Sequence, residues 1–349
     1  MFVSEKNTFI LVTSVLRLGQ GLACGGYGVI IYSMVPQFFP DRVEEIFGYM
    51  ELTGGIAIAI SPLIGMFLYE VIGAPFTFIY MSFIYLIMVI IIYKFTDLNK
   101  SELQISRSES LASEHIGLID FLKDRRFLLT FAIFTTNSCG LYLITPILGD
   151  RVKELTGSMH SIGITFSMFY VLYALTGILL GRAFKTHKIN KRNLFLLSSF
   201  IISVAYLLLP FSNSLISLQF LLLLIGFAEG LIAIPFIPEA IEIGLILYPN
   251  AYNKVSDSAS GFWNIGFALA EFLGPLLGGY LGENYGFGVC TFTYGFICAI
   301  VGGLYLVMGK KGKEERLMMG YEGMEEGRVK FNSWDAGVYR CRPVFLKSI

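Results

Sequence analysis

Five glutamates stand inside long apolar stretches: Glu51, Glu229, Glu239, Glu242 and Glu271. A charge at the centre of a bilayer costs about 2.5–3.5 kcal/mol on insertion scales, so an acid kept there is a candidate for a task. Burial favours the neutral acid, and a nearby cation favours the carboxylate. One such group can therefore trade a proton for a cationic solute. Glu271 shares a helical stripe with Asn264, Ala268, Pro275 and Gly278, spaced alternately by four and three residues. Glu51 shares one with Gly55, Ile58, Pro62 and Gly65. Glu229 precedes Pro235 and Pro238, which free backbone carbonyls for an inward-facing group. Glu239 and Glu242 fall nearer the end of their run, where water can reach them. For each acid the alternative is a carboxyl hydrogen-bonded across a helix interface, and that alternative suits Glu51 and Glu242 better. Tyr27, Tyr142, Tyr170 and Tyr173 could face a cation through their rings, although aromatics this frequent also serve plain packing.

These residues need membrane-spanning elements to position them. Hydrophobic residues make up 55% of the 349 and charged residues 15%, against about 25% charged in soluble domains. A span needs about 20 apolar residues. The sequence predicts nine of them, over 8–39, 43–72, 74–95, 127–149, 160–184, 193–211, 214–248, 256–285 and 287–309. They group as three plus six around a polar linker, 96–126, and are followed by a polar tail, 310–349, with no apolar period and an expectation of disorder. The expected domains are thus a three-helix bundle (1–95), the linker, a six-helix bundle (127–309) and the tail. With the linker on the cytosolic side, 22 Lys and Arg fall there and three on the other side. The positive-inside rule then puts the C-terminus in the cytosol and the N-terminus outside. Residues 9–24 end like a lipoprotein cleavage site, but Arg17 interrupts the apolar run and no basic cluster precedes it, which argues against a signal peptide.

Several classes are disfavoured. The 26 basic residues balance the 26 acidic ones, so there is no footprint for nucleic acid. Cys24, Cys139, Cys290, Cys298 and Cys341 form no metal or redox spacing. No His, Cys or Asp set suits an enzyme or a metal site. The expectation is a protein without cofactor, whose partners are a small solute, protons and the lipid bilayer.

The chain repeats itself. Shifted by 213 positions, Gly48, Ala57, Pro62, Leu63, Gly65, Leu68, Glu70 and Gly73 meet Gly261, Ala270, Pro275, Leu276, Gly278, Leu281, Glu283 and Gly286. Each copy is followed by a further helix after a glycine. The shift pairs Glu51 with Asn264 and Ile58 with Glu271. Internal repeats of this kind build transporters, with the solute held between them near the midplane.

Three motifs carry a family resemblance. Arg17-x-x-Gln20-Gly21-x-x-x-Gly25-Gly26 resembles the fourth-helix motif of major facilitator transporters. Gly54-Gly55 through Ser61-Pro62-x-x-Gly65 resembles their fifth-helix antiporter motif, with Ser61 and Met66 where glycines are usual. Gly274-Pro275-x-x-Gly278-Gly279 resembles it in the penultimate helix. Residues 25–92 look most like the vesicular amine and polyamine transporters, close to drug–proton antiporters. The resemblance implies an all-α major facilitator fold, monomeric, in a vesicle or plasma membrane. It implies proton-coupled antiport of a cationic amine by alternating access, driven by the proton gradient. It implies that Arg17 works in proton relay or gating, as an alternative to a structural pairing. It also implies that the face of Glu271, Pro275 and Gly278 meets the opposite bundle. The basic cluster from Arg182 to Arg192 resembles the family's second basic loop. Placing Arg17 in the fourth helix leaves the family's first three helices unaccounted for, so a truncated product or a short isoform is expected. The alternatives are a facilitator of another small solute and a transport-inactive pseudo-transporter.

Overall fold

The computed structural model describes residues 6–39, 42–95, 118–157, 160–186, 189–249 and 251–326. Among these residues there is no strand. The helices are α1 (Lys6–Phe38), α2 (Val43–Phe95), α3 (Leu118–Lys123), α4 (Arg125–Leu143), α5 (Thr145–Thr156), α6 (His160–Thr186), α7 (Lys191–Leu208), α8 (Leu215–Leu247) and α9 (Tyr252–Glu326). A 3₁₀ turn, Leu209–Phe211, follows α7.

Both copies of the repeat end on the same backbone device. Inside α2, Gly73 has φ 76° and ψ 165°. Inside α9, Gly286 has φ 81° and ψ 168°. This region of backbone space is essentially open only to glycine, and it breaks each helix where the sequence repeat places its last identity. Elsewhere local chemistry sets the boundaries. Asp124 caps α4 by accepting from the Phe127 amide at 2.8 Å. Asn190 caps α7, and Ser214 with Ser217 forms a capping box on α8. The run expected over 127–149 instead divides at Ile144, where α4 and α5 meet at 42°. Pro146 in the first turn of α5 has no amide proton to continue the ladder.

Seven helices among the described residues are long and apolar enough to cross a membrane, or eight if α4 and α5 form one broken span. The sequence reading counts nine because it takes 127–149 as one span and divides Tyr252–Met308, here one 57-residue element, at Gly286.

Residues 1–309 form one compact unit. Its first half, α1 and α2, meets the second along α2, from Gly48 against Gly177 to Pro62 against Gly163 of α6, and shares a core with it at the end that carries the linker. There one core cluster draws Val35, Val43 and Phe47 from the first half and Phe127, Phe236, Phe262 and Trp263 from the second. Towards the other end, the second cluster consists of residues between Cys139 and Cys298 alone. The most apolar stretch of α8 is 78% buried, whereas that of α1 is 0% buried. So α8 is the axis of the second half, and α1 meets that half through Gly28, Tyr32 and Val35.

Two expectations change in the described residues. In the polar stretch 96–126, of which 96–117 lie outside the described residues, Leu118–Lys123 is helical: Phe121 is fully buried, and the Tyr248 hydroxyl donates to Asp120 at 2.8 Å. Lys123 and Tyr248 together hold the Asp120 carboxyl below its ordinary range. Of the tail expected over 310–349, in a separate unit beginning at Lys310, residues 310–326 are helical, and 327–349 lie outside the described residues. Its Lys, Glu, Arg, Leu and Met residues are good helix formers.

Candidate functional site

The site is built on α4, α6, α8 and α9 around Glu229. This glutamate is 1% exposed, in the middle of the buried helix α8. Ser138 on α4 donates its hydroxyl to Oε1 of Glu229. The other carboxylate oxygen, Oε2, is buried with no hydrogen-bond partner. A buried polar atom left unpaired costs about 1–3 kcal/mol, more when it is charged, so this oxygen points to a proton or a cation as its missing partner. The prolines that follow do not break α8, which runs unbroken through Pro235 and Pro238.

Tyrosines connect Glu229 to the other acids. Tyr142 on α4 and Tyr170 on α6 each lie within electrostatic reach of both Glu229 and Glu271. Glu271 is exposed, so it borders open space and not the core. Tyr173, 7% exposed on α6, lies within reach of Glu229 and donates its hydroxyl to Glu51. Glu51 also lies within reach of Glu229. Glu51, Glu229 and Glu271 thus share an electrostatic neighbourhood with Tyr142, Tyr170 and Tyr173. Such a set can bind a cation by charge and by ring faces, and can hold a proton.

The remaining sequence candidates lie elsewhere. Glu239 is 3% exposed and forms an ion pair with Arg126 at the start of α4. Glu242 pairs with Lys191 at the surface. Asn264 donates to the Ser260 carbonyl at 2.9 Å and lies against Gly28 of α1. Arg17 bonds Gln20 at 3.1 Å on the exposed face of α1, away from the acids. A side chain at neighbouring Gly21 would meet nothing within 4 Å. Tyr27 is 64% exposed. Pro62 borders Gly163 of α6 through its carbonyl.

The glycine face of the penultimate helix corrects one expectation. A Cβ on Gly274 would lie 2.7 Å from Tyr142 Cβ and 2.9 Å from the Cys139 carbonyl oxygen, and one on Gly278 would strike the Leu143 carbonyl. Gly274 and Gly278, flanking Pro275, therefore meet α4 of their own half and not the opposite bundle. The seam between halves is formed by other small residues. Gly48 lies against Gly177 and Gly181, and Gly55 lies against Ala174 and Tyr173. At Gly65, the counterpart of Gly278, a Cβ would meet nothing within 4 Å.

Sequence reasoning missed Ser138, Tyr32 and Arg126. The run Thr135-Thr136-Asn137-Ser138 in an apolar helix was a usable signal for the first, because side-chain hydroxyls and amides in a span seek partners on neighbouring helices. Tyr32 and Arg126 left no comparable mark.

Comparison with known proteins fits this geometry. A family model described as Major Facilitator Superfamily matches residues 1–237 and, again, residues 130–345. The MFS-type transporter SLC18B1 of Rattus norvegicus is 25% identical over 293 residues, covering 81% of this chain and 62% of that protein. Its Homo sapiens counterpart is 24% identical over 313 residues, covering 86% and 65%. The synaptic vesicular amine transporter of Homo sapiens is 23% identical over 321 residues, covering 90% and 59%. The chain spans less than two thirds of the length of these relatives. With apolar helices around a buried acidic site, a repeat hinged at matching glycines, and a family match over most of its length, this chain is a multi-pass membrane protein that belongs to the Major Facilitator Superfamily of transporters, which are not enzymes.

Proposed function

We propose that the chain forms the solute-binding part of a proton-coupled antiporter of cationic amines, with Glu229 and Glu271 as the acids that hold either the protonated amine or protons. The observation that carries the reading is the buried, unpartnered Oε2 of Glu229. Tyr142 and Tyr170, each within reach of both acids, supply ring faces for an ammonium group. The similarity to the synaptic vesicular amine transporter supports the same class of solute. Glu271 supports it further, because its repeat counterpart is the apolar Ile58. An acid where the repeat asks for an apolar group is better explained by a task than by packing.

Exchange follows from competition for one site. An amine cation that displaces the proton from Glu229 is released when a proton returns from the other side of the membrane. The halves would rock about the seam formed by α2 and α6 to present the site to each side in turn.

The test is equilibrium binding of tritiated tyramine to the purified chain in nanodiscs across a pH series. Binding should weaken as pH falls, and Glu229→Gln should abolish it. Glu271→Gln should weaken it at least about tenfold, the loss expected for one charge-assisted contact. Tyramine binding that is unaltered in both variants would falsify the reading. Binding of a neutral solute with no competition by tyramine would favour a facilitator of another solute class.

A further inference from the structure

Glu51 stands apart from the other acids because its carboxylate joins the two halves. It is 6% exposed. Oε1 accepts the Tyr32 hydroxyl of α1 at 2.6 Å, within the first half. Oε2 accepts the Tyr173 hydroxyl of α6, in the second half. The sequence alone favoured a structural carboxyl here, and these bonds give it a specific place. We infer that Glu51, Tyr32 and Tyr173 form a latch that holds the two halves together at the linker end and closes the cation site on that side.

The surroundings explain why a carboxylate can reach both partners. Gly48 and Gly177 let the backbones of α2 and α6 approach: a Cβ on Gly177 would lie 2.9 Å from the Gly48 carbonyl oxygen. Two turns further along α2, a Cβ on Gly55 would lie 2.7 Å from that of Ala174. With the helices this close, a side chain no longer than glutamate spans the gap. Tyr32 adds a second crossing. Its ring lies 4.0 Å from that of Trp263 on α9, and 5.7 Å from that of Phe47. The hydroxyl thus serves Glu51 while the ring rests on the other half.

The repeat shows what is particular to this site. Asn264, the counterpart of Glu51, also lies on the seam, against Gly28 of α1. Equivalent positions of both halves therefore line the contact, but only Glu51 takes a hydroxyl from each half. Contacts between small residues give close approach without deep interlocking. Hydrogen bonds to a buried carboxylate are directional and are strengthened by low dielectric. Both properties suit an interface that must close firmly and open as a unit. The role of the latch in gating rests on the transport reading above, but its existence can be tested without transport.

Trp263 reports on the seam. It is 9% exposed and in contact with Tyr32, and Trp334 is the other tryptophan of the chain. In a Trp334→Phe background, acrylamide quenching of Trp263 is measured for the full chain in proteoliposomes. Loss of one hydrogen bond to the carboxylate should shift the closed-to-open ratio about tenfold towards open. Tyr173→Phe and Glu51→Gln should therefore both raise quenching, while Glu154→Gln, at the exposed end of α5, should leave it at the parent value. Tyr173→Phe keeps the ring and loses only the hydroxyl, so it decides the matter if Glu51→Gln does not fold. Unchanged quenching in the folded Tyr173→Phe protein overturns the latch. An equal rise in Glu154→Gln also overturns it, since that would report general loosening. Failure of tyramine binding with the expected quenching pattern would overturn the amine reading and leave the latch standing.

Discussion

Gly278 and Gly65 are repeat counterparts with opposite surroundings, and alanine substitution at each gives a matched test of the packing. In a helix, alanine is favoured over glycine by about 0.8–1.0 kcal/mol. At Gly65 a Cβ meets nothing within 4 Å, so Gly65→Ala should keep that gain. At Gly278 the added methyl strikes the Leu143 carbonyl and lies 2.9 Å from Leu143 C. Backbone cannot step aside as a flexible side chain does, so α9 must move off α4. Overpacking of a tight contact costs about 1–3 kcal/mol, and forced separation of two backbones belongs at the upper end. The balance for Gly278→Ala is a loss of about 2 kcal/mol, or roughly 4 °C in melting temperature. The assay is thermal unfolding in one detergent, followed by thiol exposure at the buried Cys139, Cys290 and Cys298. A Gly278→Ala protein that melts at or above the parent would refute the close approach of α9 to α4. A large loss in Gly65→Ala would show that the face of α2 is covered in a way the geometry does not include.

The other predictions concern the ion pair, the site and the orientation. Arg126→Gln leaves the buried Glu239 without its partner. It should cost about 2–3 kcal/mol, less than a fully buried pair, because the Arg126 side chain is 32% exposed. Replacing both residues with methionine should recover most of that loss in the same melting assay; no recovery would argue against the pair. Ser138→Ala removes the bond to Oε1 of Glu229 and should alter tyramine affinity by about tenfold with little change in melting temperature. An unchanged affinity would detach Ser138 from the site. Cysteines at Lys123 and Asn190 should resist an impermeant thiol reagent added outside intact cells, whereas one at Glu154 should react. The opposite pattern would reverse the orientation inferred from Lys and Arg.

The spans and the repeat were legible because both are local. A run of apolar residues declares a membrane helix whatever it packs against, and Gly73 and Gly286 were visible as the last identities of the repeat before their matching conformation was seen. The motif glycines were legible as residues but not as contacts: Gly278 meets Leu143 of its own half. Periodicity identifies the small-residue face of a helix, and several neighbours can fit such a face equally well.

By itself, then, the sequence determined the membrane class, the repeat with its closing glycines, the family resemblance and the set of acids inside apolar runs. The tertiary structure decided what each acid does, because their partners are remote in the chain. Tyr173 is 122 residues from Glu51, Arg126 is 113 from Glu239, and Ser138 is 91 from Glu229. Glutamates that look alike along the sequence become a buried, half-paired carboxylate at 229, an ion pair at 239 and a cross-half acceptor at 51. In a medium where lipid is as apolar as the helices, the hydrophobic effect does not choose helix partners. Close packing of small residues and the pairing of polar atoms choose them, and both depend on which helices meet in space.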